Sequence, residues 1–194
     1  AIELDPANGM YFNNRGVAYH MTGQYAQAIA DYSRAIQLAP ERAAFYINRG
    51  DSYRLSKDYD AAIRDYTRAI ELNPKDPDYY NERGLCYDDT GQYARAIAEY
   101  SHAIQLAPEN AVIYGNRGNS YRLAKEYDAA TRDYTRAIEL NPKDPDYFNG
   151  RGLCHYYKNQ YAQAAADFSS AIQLDPKDTT YYLNRASVWD ALGR

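Results

Sequence analysis

The sequence has no large surplus of either charge. Its 22 Lys and Arg stand against 26 Asp and Glu, a formal net charge of −4. This balance excludes the electrostatic pull that carries proteins to phosphate backbones or anionic lipid, so neither nucleic acid nor a membrane surface is an expected partner. No apolar run approaches the roughly 20 residues of a spanning helix, and Ala1-Ile2-Glu3-Leu4-Asp5-Pro6 lacks the basic and apolar segments of a signal peptide. The sequence names no compartment, and the cytoplasm is only the default. Cysteine is scarce: Cys86 and Cys154 are too few for a disulfide framework and have no further ligands at metal-binding spacing, so both are read as buried small residues. His20, His102 and His155 fall in different phases of the chain and assemble no metal site, and His155 is read as packed. Phosphate-binding glycine loops, nucleophile elbows and isolated carboxylate pairs in an apolar setting are all missing. No cofactor, metal or catalytic activity is expected.

Tyrosine, by contrast, is abundant at 23 residues, and its placement is periodic. Pro6, Pro40, Pro74, Pro108, Pro142 and Pro176 recur with a 34-residue period, and Gly16, Gly50, Gly84, Gly118 and Gly152 keep the same step. Alanine does likewise at 28, 62, 96, 130 and 164 and at 35, 69, 103, 137 and 171, as small residues do where helices approach closely. Aromatic columns run through Tyr32, Tyr66, Tyr100, Tyr134 and Phe168, and through Phe12, Tyr46, Tyr80, Tyr114, Phe148 and Tyr182. Within one unit, Ala28, Ile29, Tyr32, Ala35 and Ile36 make one apolar helical face, and Phe12, Gly16 and Tyr19 share a face on the helix before it. The two are joined at Thr22-Gly23-Gln24. Asp76-Pro77 and Asp144-Pro145 read as an N-cap followed by proline in the first turn, where the missing amide costs nothing. Each unit is therefore a helical hairpin.

These residues resemble the tetratricopeptide repeat, whose pattern places an aromatic, Leu-Gly and Tyr on the first helix and Ala, an aromatic and Pro on the second. The phase gives full repeats at 9–42, 43–76, 77–110, 111–144 and 145–178, a lone first helix capping the array at 179–194, and the end of a preceding repeat at 1–8. The resemblance implies an all-α, right-handed solenoid of antiparallel hairpins whose first helices line a concave side. It also implies a protein or peptide partner, although the matched residues are core residues and specify none.

The chain is an Arg-Gly variant of that pattern. Arg15, Arg49, Arg83, Arg117, Arg151 and Arg185 stand where leucine is usual, and an acid follows each of the first five at a constant offset: Asp31, Asp65, Glu99, Asp133 and Asp167. A cross-hairpin ion pair is predicted in every full repeat, because an arginine beside a helix core needs a partner. A second period, twice the first, is superimposed: 43–76 and 111–144 differ at only seven positions, Ile47/Gly115, Asp51/Asn119 and Ile63/Thr131 among them. Near-identity of this kind points to recent duplication or to an engineered array, and a chain that starts and stops inside a repeat reads as a piece of a longer one.

First-helix residues turned away from the core face are the expected ligand contacts: Asn14, Asn48, Glu82, Asn116, Gly150 and Asn184, mostly asparagines suited to a peptide backbone. One turn on, His20, Arg54, Asp88, Arg122, Tyr156 and Asp190, with Asp51, Leu85 and Asn119 nearby, vary between repeats and are the expected source of selectivity. Asp78, Glu82, Asp88 and Asp89 make repeat 77–110 locally acidic and favour a basic side chain there. Some relatives of this fold grip a chaperone's terminal carboxylate with lysines, but the corresponding slots hold Asn13, Ile47, Asn81, Gly115 and Asn149, which disfavours that role. The alternative to peptide binding is a structural role, with arrays self-associating through terminal helices such as the one carrying Trp189.

Overall fold

The computed structural model describes residues 8–193. The expected close of a preceding repeat at 1–8, Pro6 included, lies outside the described residues except for Asn8, as does Arg194. Among the described residues there are eleven helices and no strand. In chain order they are α1 (Gly9–Met21), α2 (Tyr25–Leu38), α3 (Ala43–Leu55), α4 (Tyr59–Leu72), α5 (Pro77–Asp89) and α6 (Tyr93–Leu106). There follow α7 (Ala111–Leu123), α8 (Tyr127–Leu140), α9 (Pro145–Tyr157), α10 (Tyr161–Leu174) and α11 (Thr179–Ala191).

Local chemistry sets these boundaries. Asn8, Asp76, Asn110, Asp144 and Asp178 each accept a hydrogen bond from the backbone amide two positions on, at 2.8–3.1 Å, and so start α1, α5, α7, α9 and α11. Pro77 and Pro145 occupy the first turn. In the turns after α1, α3, α5, α7 and α9 the chain passes through the left-handed region, at Gly23, Lys57, Gly91, Lys125 and Asn159 with φ between 58° and 75°. Glycine enters that region freely, whereas the two lysines carry a Cβ that resists it.

The chain forms two compact units, divided between Gly91 and Gln92. In the first, α1 packs on α2, α2 on α3, α3 on α4 and α4 on α5, while α1 also meets α3 and α3 meets α5. In the second, α6 through α11 pack in the same succession, α7 meeting α9 and α9 meeting α11. First helices are thus neighbours within each unit.

The cores are made by the aromatic and alanine columns. Tyr32 and Tyr66 in the first unit and Phe168 in the second are almost wholly buried, each against the glycine of its own hairpin's first helix. A Cβ added at Gly50 would lie 2.7 Å from the Tyr66 ring, so the glycine is what lets the ring in. Burying such a ring contributes about 1.5–3 kcal/mol of transfer free energy. Cys86 is fully buried beside Tyr66 and Cys154 beside Tyr134 and Tyr147, and burial pushes their thiols up to about 12 and about 11.

Candidate functional site

The arginine column has a structural setting. Arg15 Nε donates to Asp31 Oδ2 at 2.6 Å and Nη2 to Oδ1 at 2.7 Å, and Arg49–Asp65, Arg117–Asp133 and Arg151–Asp167 make the same fork at 2.7–2.9 Å. Arg83 and Glu99 stand in different units, and their pairing stays an expectation. From Arg49 onward each guanidinium also reaches back one hairpin. Nη1 of Arg49, Arg83, Arg117, Arg151 and Arg185 donates to the hydroxyl of Ser33, Thr67, Ser101, Thr135 and Ser169 at 2.9–3.2 Å. Aromatic rings flank it on its own helix, Tyr46 and Tyr53 around Arg49 and Tyr114 and Tyr121 around Arg117, at 5.7–5.9 Å. Arg49, Arg117 and Arg151 thus join the two helices of their own hairpin and the hairpin before it. The hydroxyl column has the same 34-residue step and was readable in the sequence, but its partner was not.

The asparagines behave differently from free ligand contacts. Asn48 Nδ2 donates to Asn13 Oδ1 at 2.9 Å and Asn184 Nδ2 to Asn149 Oδ1 at 2.8 Å, so in both the amide donor is already engaged by the preceding first helix. Asn14 is exposed and accepts from Asn13 Nδ2 at 3.3 Å. Gly150 is buried under Tyr134, where a Cβ would lie 2.4 Å from the ring. It presents no side chain; its role is to make room.

Within the first unit, α3 and α5 bring together Asp51, Arg54 and Glu82. The Tyr66 hydroxyl donates to Asp51 Oδ1 at 2.7 Å, and Arg54 faces Glu82 at 3.6 Å and Asp89 at 3.8 Å. Burial pushes Asp51 above the usual carboxylate range, with the Tyr66 hydroxyl pulling back. Burial raises Glu82 as well, and the charge of Asp51 adds to it. Tyr66 is driven far above its ordinary value by burial and then by Asp51. The acids balance the charge of Arg54, although its Nε, like that of Arg122 in the second unit, is buried without a hydrogen-bond partner among the described residues.

The second unit carries the same framework two repeats on, but Asn119 replaces Asp51, Gly150 replaces Glu82 and Tyr157 replaces Asp89. A cavity of about 400 Å³ opens here, floored by Tyr134 and lined by Asn116, Asn119 and Arg122 of α7 and by Tyr147 and Leu153 of α9. Asp144 and Asp146 also line it. Two glycines shape it: at Gly115, where the first unit has Ile47, a Cβ would lie 2.6 Å from the Tyr147 ring. Arg122 Nη2 donates to Asn119 Oδ1 at 2.6 Å, and its Nε is buried without a hydrogen-bond partner. Burial pushes the Tyr134 hydroxyl up to about 12, and the charge of Arg122 opposes the shift. Of the expected contacts, Asn116, Asn119 and Arg122 come together at this opening. Tyr134, Tyr147 and the α9 cap were not among them, because they reach it from a second helix and from the next repeat.

Tetratricopeptide repeat family models match residues 10–42, 47–111, 111–144 and 145–178. The chain belongs to the tetratricopeptide repeat family. Among curated proteins no sequence relative matches it. Solved structures of the same fold include YrrB, titled a TPR protein with an unusual peptide-binding site, at TM-score 0.77 and 19% identity over 96% of each chain. MamA from Desulfovibrio magneticus RS-1 has a TM-score of 0.81 and 17% identity over 88% of this chain and 96% of its own. Pseudomonas aeruginosa pilF has a TM-score of 0.82 and 18% identity over 97% of this chain and 86% of its own. At such identities the likeness is one of tetratricopeptide fold alone. No helix among the described residues is long and apolar enough to cross a membrane.

Proposed function

We propose that this tetratricopeptide array is a non-catalytic scaffold that holds a peptide or protein segment against the first-helix face of its second unit. The observation that carries this reading is the cavity of about 400 Å³ on α7 and α9, lined by Asn116, Asn119 and Arg122 together with the rings of Tyr134 and Tyr147. The corresponding face of the first unit, with Asn14, Asn48, Asp51, Arg54, Glu82 and Asp88, would serve as a separate polar contact surface. Description of the structural relative YrrB as having a peptide-binding site supports a peptide as the class of ligand. A peptide array probed with the chain and with Asn116→Ala/Arg122→Gln tests it. The expected result is a set of peptides bound by the parent and weakened about tenfold or more in the variant. Equal binding by both, or none by either, overturns the reading.

Self-association is the second reading, favoured by the apolar surface of α11, where Leu183 is 67% and Trp189 42% exposed beside Tyr182 and Leu192. Sedimentation velocity across a wide concentration range separates the two readings. Association that disappears with Leu183→Ser/Trp189→Ser supports it, and a strict monomer at the highest concentration removes it.

A further inference from the structure

The two 68-residue copies share one arginine socket but not its charge balance. Arg54 lies between Glu82 and Asp89, with Asp51 held close by on Tyr66. At the matching positions of the second unit, none of these acids is retained: Asn119, Gly150 and Tyr157 stand in their place. The arginine itself, with the tyrosine and cysteine beneath it, is kept as Arg122, Tyr134 and Cys154. Among the described residues Arg122 makes no ion pair, and the side-chain acceptors facing it are neutral, the amide oxygen of Asn119 and the hydroxyl of Tyr134. A partly buried guanidinium with five N–H donors is poorly served by neutral oxygens alone. The cavity opens at that arginine because Gly115 and Gly150 make room for the rings of Tyr147 and Tyr134.

We propose that Arg122 is the anchor for an acidic side chain, an aspartate or glutamate inside a continuing peptide, which takes the place that Glu82 and Asp89 fill in the first unit. This rests on the peptide-binding reading and names the chemistry of its occupant. A carboxylate seated there supplies the missing charge and accepts from the terminal guanidinium nitrogens, a bidentate geometry that arginine favours. Two acids that line the same cavity limit the ligand to one such charge. Asp146 accepts the Tyr181 hydroxyl at 2.7 Å and Asp144 caps α9, so both carboxylates are held in position and repel a second anion. That repulsion favours a single internal acid over an acidic chain end.

The test uses pools of degenerate nonapeptides, acetylated and amidated, identical except for Glu, Gln or Lys at the centre. A further pool has central Gln and a free C-terminal carboxylate. Retention on the immobilised full chain should favour the Glu pool over the Gln pool by about tenfold, less at high salt. Arg122→Gln should lose that preference. So should Asn119→Asp, which installs the acid already tolerated at Asp51 and neutralises the arginine from within. The circular dichroism of both variants must match the parent, and Asn119→Asp, being isosteric, keeps the test valid should Arg122→Gln unfold. Equal retention of Glu and Gln pools, or a preference that survives both substitutions, overturns the acid site while leaving peptide binding standing. Preference for the free-carboxylate pool would move the site to a chain end and also overturns it. Retention of no pool at all defeats the peptide-binding reading itself.

Discussion

Residues 43–89 and 111–157 are one stretch of sequence laid down twice, and the first copy pairs Arg54 with its own acids while the second leaves Arg122 without one, among the described residues, beside a cavity. The framework is common: the same arginine fork to Asp65 and to Asp133, the same tyrosine on a glycine, the same buried cysteine. The difference comes from exchanges at 47/115, 51/119, 82/150 and 89/157, which replace one large apolar and three acidic side chains by glycine, asparagine, glycine and tyrosine. Core columns fixed by packing have been copied faithfully, and the positions that face inward have been free to diverge.

The largest effect should come from the rings themselves. Tyr66→Ala, at a site with no exposure, should cost about 3–5 kcal/mol in denaturant unfolding. Tyr66→Phe should cost about 1.5–3 kcal/mol because the Asp51 carboxylate loses its hydroxyl donor, and Tyr134→Phe, whose hydroxyl meets Arg122 and donates to no buried carboxylate, should cost less. If the two Phe variants cost the same, the buried acid is not what distinguishes the copies.

The next comparison is one of pH. Burial raises the folded pKa of Asp51 and Glu82 above their unfolded values. The native state therefore binds more protons than the unfolded state between those values, and stability falls as pH rises through that window. Asp51→Asn should raise the melting temperature by a few degrees at neutral pH, with the gain shrinking as pH falls toward the ordinary carboxylate range. A gain that persists unchanged at low pH would contradict this.

Smaller still is the cap of the second helix. Asp58 accepts from the Ala61 amide at 3.2 Å, whereas Glu126 makes no such bond. Glu126→Asp should therefore stabilise by about 0.5–1 kcal/mol in thermal unfolding, and Asp58→Glu should do the reverse. Equal stability of parent and both variants would show that the turn, not the cap, sets the start of these helices.

Much of the architecture was legible in advance because it is local and repeated. Hairpins, turns and the Asp-Pro starts depend on residues a few positions apart, and a 34-residue period multiplies each signal. The Arg–acid pairing was legible for the same reason, since one fixed offset along the chain returns in each repeat. The site was legible only in part. Asn116, Asn119 and Arg122 were expected to face a ligand and line the cavity. Asn48 and Asn184 were expected to be free, yet each donates to an asparagine one repeat back, Asn13 and Asn149, a pairing set by how adjacent first helices pack. Gly150 read as a gap in a ladder, and only the position of the Tyr134 ring reveals it as the space that opens the cavity. Sequence periodicity says which residues recur, but not which ring moves when one of them becomes glycine.

The account turns on the claim that a ligand's acidic side chain seats at Arg122 in the second copy, and not at Arg54 in the first. Hydrogen–deuterium exchange on the full chain, with and without a saturating peptide recovered from the central-Glu pool, tests it most directly. Slowed exchange should concentrate in Ala111–Leu123 and Pro145–Tyr157, with Ala43–Leu55 and Pro77–Asp89 changing far less. Equal protection of both copies, or protection confined to second helices such as Tyr127–Leu140, would contradict it.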